Sequence, residues 1–371
     1  MNCTTLKSAG LVACACLLLP AALASASAGD WQVTKVTNTD WDFSLQLLDQ
    51  SGGRAIWYST EAEYDIAMYD GSSIVPLSQN ADIGEAHVST NYAAWREGAD
   101  GSDLFVYDGS STTCLAGNVD GDFCMSDDLI VWPGMAEDGN RYVHVYDIAS
   151  GQTTVLPHRG GTVDVDGMNV AYLGSDGHDS EVFYYNAATA ALTQLTDNLG
   201  IDSAPMIYGD TVAWGNKIWR DGQIDYVDIP DCIGAHAKDI GPSGVLFSTL
   251  PIGSSNGRRE VFLYDGETAE CVTNGTYNMG GDILFAGDDV VWVNADADGD
   301  QILLYDGEEI VSLAQMDCIV AYLAASEECV AWSGDTMDYL NIYLATRIPE
   351  PGVLTLLVAG CAVLIRRRRR G

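Results

Sequence analysis

Short runs of β-branched and aromatic residues alternate with Asp/Gly-rich turns along most of this chain, and Asp288–Ser312, DDVVWVNADADGDQILLYDGEEIVS, shows the pattern in full. Val290, Val291, Trp292 and Val293 suit a buried strand. A polar turn follows, then a second apolar run, Ile302 to Tyr305, that stops at Asp306-Gly307, a dipeptide suited to a reversing turn. The pattern predicts a β-hairpin.

The same hairpin recurs. Taking the aromatic residue near the end of its first strand as an anchor gives Trp57, Trp95, Trp132, Tyr172, Trp214, Phe247, Trp292 and Trp332, separated by 38, 37, 40, 42, 33, 45 and 40 residues. A Tyr-Asp or Tyr-Asp-Gly tag closes the second strand at Tyr69, Tyr107, Tyr146, Tyr264 and Tyr305. Units of this length, each with room for four short strands, predict an all-β propeller of about eight four-stranded blades, with seven as the fallback. In unit four the strands are expected near Thr162–Val165, Asn169–Leu173, Glu181–Tyr185 and Ala191–Leu195. The last unit ends after its third strand, Leu340–Leu344, so the strand Trp31–Thr37 is expected to complete it and close the ring.

The repeat, in Asp210-Thr211-Val212-Ala213-Trp214 and in Glu181–Tyr185 followed by Leu192-Thr193-Gln194-Leu195-Thr196-Asp197, resembles the TolB-like propellers, relatives of the WD-repeat propellers. That resemblance covers residues 30–348 and implies a fold, not an activity. Unit five departs from the pattern around Lys217–Gly222.

Both ends differ from the repeats. Residues 1–28 read as an export signal, with Lys7, the apolar Gly10–Leu23 and small residues at Ala24–Ala28. Residues 349–371, with Pro349-Glu350-Pro351, an apolar run Val353–Ile365 and Arg366, Arg367, Arg368, Arg369 and Arg370, resemble a PEP-CTERM sorting signal. The resemblance implies exosortase as processing partner and transient membrane insertion of the tail, the arginines on the cytoplasmic side. Release and attachment after processing both stay open. The expected location is the cell envelope, cell surface or extracellular matrix.

Charge narrows the choice of partners. The 371-residue chain carries 17 Lys+Arg against 53 Asp+Glu, a formal net charge of −36. Without Lys7, Arg366–Arg370 and Glu350, the body keeps 11 basic and 52 acidic residues. Such a surface repels nucleic acid and anionic lipid, and it also serves solubility. Because successive strands run antiparallel, the second-to-third-strand turns and the connections between units emerge on one face, where the acids are expected to gather.

Candidate chemistry is sparse. Asn294, Asp296, Asp298 and Asp300 resemble the start of a calcium loop, since a hard cation needs several converging oxygens, but position twelve is Tyr305 rather than a bidentate Glu. A turn needs no metal, so Ca2+ is one of two readings. Six of the ten cysteines fall in the body, and Cys114 with Cys124 and Cys318 with Cys329 are the nearest pairs for disulfides, with free thiols as the alternative. HExxH, GxSxG and Walker signatures are absent. His87, His144, His158, His178 and His236 lie in different units, as do Arg141, Arg159, Lys217 and Arg258.

These observations favour a non-catalytic exported binding or structural module, meeting extracellular polysaccharide through divalent cations. The alternative is a secreted polysaccharide-acting hydrolase or lyase, which requires His, Arg or Lys to meet carboxylates at the channel mouth.

Overall fold

A computed structural model describes residues 31–38, 45–59, 65–79, 85–98, 103–252, 259–273, 279–295, 299–316, 320–334 and 340–348. These residues form 31 strands and no helix. Six sheets have four antiparallel strands and one has seven. The seven-stranded sheet contains two units, because the long strand Gln152–Asp166 pairs with Arg141–Asp147 through its first half and with Asn169–Ser175 through its second. Between Gly160 and Val163 the register slips, and there the strand passes from one unit to the next.

The innermost strands are Leu45–Ser51, Ala86–Val88, Cys124–Met125, the end of Gln152–Asp166, Met206–Tyr208, Cys232–Gly241, Met279–Ala286 and Tyr322–Ser326. They touch one another in that order, and the last returns to the first. The arrangement is an all-β propeller. At the seam, Trp31–Lys35 lies antiparallel to Asn341–Arg347, pairing Trp31 with Arg347 and Lys35 with Tyr343.

All eight anchors sit in the second strand of their unit and are buried, none more than 4% exposed. Each fills the wedge between neighbouring sheets, and burying such a side chain stabilises the fold by about 1.5–3 kcal/mol. The Tyr-Asp-Gly tags have a common cause. The carboxylates of Asp70, Asp108, Asp265 and Asp306 accept backbone N–H groups two and three residues on. The following glycine takes a left-handed conformation, as at Gly71 with φ +95°. Tyr69, Tyr264 and Tyr305 donate their hydroxyls to the carbonyl of that glycine.

Adjacent units are also clasped near the axis. Asp49, Asp164 and Asp239 each accept the N–H of the following residue through one oxygen and an N–H of the next unit's first strand, Val88, Ile207 and Phe285 respectively, through the other. Burial pushes the Asp164 pKa up to about 7 and that of Asp239 to about 6, against the lowering effect of those hydrogen bonds. Unit five, although its second-to-third-strand turn is only Gly215-Asn216, keeps all four strands.

Candidate functional site

The face formed by the second-to-third-strand turns and the inter-unit connections carries an open notch of about 710 Å³ between units three and four. Three segments build it. The connection Asn118–Asp122 is fixed by hydrogen bonds from Asp120 N to Pro133 O and from the Arg96 guanidinium to Gly121 O. The third strand of unit three contributes Arg141, and the bent strand contributes Arg159 to Val163. Leu173, Gly174, Ser175 and Ser180 complete the wall.

Arg141 and Arg159, 18 residues apart, thus meet at one cavity. Arg141 donates to Asp120 O at 3.2 Å and lies 3.6 Å from the Asp120 carboxylate, a half-exposed pair. The Arg159 backbone pairs with Tyr142 on one side and Ser175 on the other. Its side chain is exposed, makes no direct hydrogen bond or ion pair among the described residues, and acts on the Asp138 carboxylate only at longer range. The glycines make room: a Cβ on Gly160 would fall 2.3 Å from Leu173 O, and one on Gly161 would press on the Arg141 guanidinium.

Between the first strands of units one and two, His87 bridges two carboxylates. Its Nδ1 is 3.1 Å from Asp49 Oδ2 and its Nε2 is 3.3 Å from Glu85 Oε1, with Phe123 edge-on at 4.8 Å. Burial alone lowers the imidazole pKa, but the hydrogen bonds and charges of Asp49 and Glu85 reverse this and carry it up to about 10. His87 is therefore a cation at neutral pH with both nitrogens engaged, and it lacks the free lone pair of a general base. Cys124 lies nearby with its Sγ 3.2 Å from Val163 O. Burial, reinforced by Asp164, Glu85, Asp49 and Asp122, pushes this thiol well above its usual range, so it is not an activated nucleophile.

The remaining histidines are spent or isolated. His144 stacks on Trp132 and His158 on Phe183. His178, largely exposed, faces Asp176 at 3.6 Å. Unit four also gathers Asp176, Glu181 and Asp197, whose oxygens lie within 4.8 Å of one another. Glu181 is fully buried, and its oxygens accept Asn198 N and Asn198 Nδ2. The residue at the same place in unit six, Glu260, accepts the Thr273 hydroxyl, so this buried acid supports the turn after the fourth strand. Lys217 is paired with the buried Asp202 at 2.9 Å.

The opposite end of the channel is an opening of about 770 Å³ to which every unit contributes residues at or beside the turn between its first and second strands. Asp127, Asp128, Asp166, Asp239, Glu327 and Glu328 make it acidic. Negative charge is thus found at this end, and among the described residues the notch with Arg141 and Arg159 places cations on the face expected to be acidic.

Of the expected calcium loop, Asp296 and Asp298 lie outside the described residues. Asp300 accepts Val320 N through its carboxylate, and Asn294 donates to Gln301 Oε1 at 3.3 Å. Both described members are engaged in holding turns. Cys114 and Cys124 are free thiols, which corrects the expected pair between them: Cys114 is exposed on its edge strand while Cys124 packs between units three and four. Cys329 is a buried free thiol, and Cys318 lies outside the described residues. The export segment 1–28 and the tail with Pro349, Glu350, Pro351 and Arg366–Arg370 also lie outside them. No helix among the described residues is long and apolar enough to cross a membrane.

Two arrangements were missed by sequence reasoning. Arg141 and Arg159 were assigned to separate units, and only the continuity of Gln152–Asp166 brings them together. The Asp49–His87–Glu85 bridge joins two first strands. Its one sequence signal was the Glu-x-His spacing.

No family model matches the sequence, nor does any curated protein. Solved structures do resemble the fold. The β-propeller domain of the Trilobed protease from Pyrococcus furiosus superposes with a TM-score of 0.51 at 11% identity, over 83% of this chain and 96% of that one. It is described as having an open velcro topology, whereas here the terminal strands are paired. Acylaminoacyl peptidase of Pyrococcus horikoshii gives a TM-score of 0.51 at 10% identity over 85% of this chain and 54% of its own, so this chain spans about half of that enzyme. Oligogalacturonate lyase of Vibrio parahaemolyticus gives 0.50 at 12% identity, over 87% and 95%. At such identities the likeness is one of fold, and the chain is a β-propeller similar to those that accompany peptidases and to one that forms a lyase.

Proposed function

We propose that the chain is an exported, eight-bladed propeller, closed by its N-terminal strand, that serves as a non-catalytic binding module at the cell surface or in the extracellular matrix. One contrast carries this reading. The groups that would do acid–base or nucleophilic chemistry are committed to holding the fold, while the notch between units three and four combines open space with an exposed cation, Arg159, whose side chain makes no direct hydrogen bond or ion pair among the described residues. A rigid ring with polar loops on one face suits recognition. Export through residues 1–28 and sorting by exosortase through residues 349–371 belong to the same proposal. Because most of the molecule is acidic, a polyanionic matrix is repelled unless divalent cations bridge the two surfaces.

The test is adhesion of the mature protein to acidic polysaccharide with calcium or magnesium, then with chelator. Retention that disappears on chelation, without shortening of the polymer, is expected. Polymer cleavage overturns the non-catalytic reading, and chelator-insensitive adhesion overturns the cation bridge. The alternative, a polysaccharide hydrolase or lyase, draws on a specific observation: His87 does stand within hydrogen-bond reach of two channel carboxylates.

A further inference from the structure

We infer that the notch between units three and four is a seat for the carboxylate of an acidic sugar, a conclusion that rests on the binding-module reading and gives it a ligand class. The first ground is charge. In a chain with 53 acidic residues and 17 basic ones, exposed arginines readily find acidic partners, yet the Arg159 side chain makes no direct ion pair among the described residues and meets Asp138 only at longer range. Arg141, on the same cavity, is restrained by the Asp120 carbonyl and by the Gly161 backbone beneath it. Two guanidiniums, one restrained and one free, offer the forked donors that match a carboxylate.

The second ground is shape. Gly160 and Gly174 form part of the lining, and neither has space for a side chain: a Cβ on Gly174 would lie 2.8 Å from the Tyr172 ring. A lining of partly exposed backbone at Gly160 and Gly161, with the hydroxyls of Thr162, Ser175 and Ser180 around it, suits a ring bearing several hydroxyl groups more than an apolar group. The volume of about 710 Å³ lies in the range of small-ligand sites. Asp122 on one wall and the acidic turns beyond repel a long polyanion laid across the face. The favoured occupant is therefore a short acidic saccharide, entering with its carboxylate toward the two arginines.

Calorimetric titration of the mature protein with a uronic-acid trisaccharide, in chelator, tests this beside the carboxyl-reduced neutral trisaccharide and inorganic sulfate. One-to-one binding of the uronate, weakened by salt, is expected, with affinity reduced about tenfold or more by Arg159→Gln. Arg159 is exposed and unpaired, so this variant should keep the wild-type melting temperature. Arg141→Lys retains the charge but loses the fork, and is expected to bind more weakly too. Equal binding of the carboxyl-reduced sugar, unchanged affinity in Arg159→Gln, or sulfate binding as tight as the uronate's would each overturn the assignment. Cation-dependent adhesion to polymer that survives in Arg159→Gln, with no trisaccharide binding, removes the notch and leaves the module. Loss of both in the wild type removes both.

Discussion

The hydroxyl of Thr37 donates to Asn341 Oδ1 at 3.2 Å, across 304 residues of chain, and accepts Ile342 N at 2.9 Å. Thr37 and Asn341 are both buried, 5% and 1% exposed. This pair locks the seam where the first described strand meets the last. Replacing Thr37 by Val keeps the shape but leaves Ile342 N and Asn341 without the hydroxyl. A loss of about 1–3 kcal/mol is expected, read as a lower midpoint in denaturant at unchanged slope. An unchanged midpoint would mean that the seam bears no load.

Tyr172 predicts the opposite sign. Among the anchors, Trp95 donates its indole N–H to Glu97 and Trp214 to Asp202, but the Tyr172 hydroxyl is buried with no hydrogen-bond partner. Two residues beyond Tyr172 stands Gly174, where unit two has Glu97. Burying an unbonded hydroxyl costs about 1–3 kcal/mol in mutational series, so Tyr172→Phe should leave stability unchanged or raise it by up to that amount. A fall in thermal midpoint would show that the hydroxyl is satisfied in solution.

The channel carboxylates set a dependence on pH. Asp164 and Asp239 have folded pKa values raised to about 7 and about 6 from 3.8, so between those limits the folded state holds protons that the unfolded chain has released. Their contribution is full below about 4 and is lost as pH rises through 6 to 7. His87, raised from 6.5 to about 10, contributes fully below 6.5 and loses that contribution as pH rises through 10. The melting temperature should therefore fall on going from mildly acidic to alkaline solution. Asp164→Asn should flatten the slope between pH 4 and 7, and His87→Gln the slope between 6.5 and 10, whatever each does to absolute stability. Unaltered slopes would refute the assignments.

A substitution at the bend checks how the notch is made. Gly160→Ala places a Cβ against Leu173 O, a backbone atom that cannot rotate away. Local register between Gln152–Asp166 and Asn169–Ser175 should be disturbed, with a clear loss of stability, whereas Gly139→Ala, in an open turn where nothing lies within 4 Å of the added Cβ, should cost less. That turn still has φ +76°, so some backbone strain is expected. The two melting curves decide it.

What could be read from the chain follows from which interactions are periodic. The anchors, from Trp57 to Trp332, recur because every wedge between neighbouring sheets needs a large side chain, and the Tyr-Asp-Gly tags recur because each makes its own local turn. The pairing of Trp31–Lys35 with the last unit was legible because that unit lacked a strand. Singular features were not. Arg141 and Arg159 meet only because a register slip at Gly160 takes the place of a loop, and no spacing rule announces a slip. Asp49 reaches His87 across a unit boundary, at a separation set by loop length rather than by pattern. Acidic turns such as Asn294–Asp300 suggest metal because their oxygens alternate, and of the described members Asp300 accepts Val320 N through one carboxylate oxygen.

The unbroken strand Gln152–Asp166 also bears on mechanics. Where two sheets share one continuous ribbon of backbone, they cannot swing apart about a loose tether, so units three and four behave as a single stiff plate. Load applied at Arg159 is carried straight into both halves of that plate, and the ring has to flex at the junctions bridged by loops.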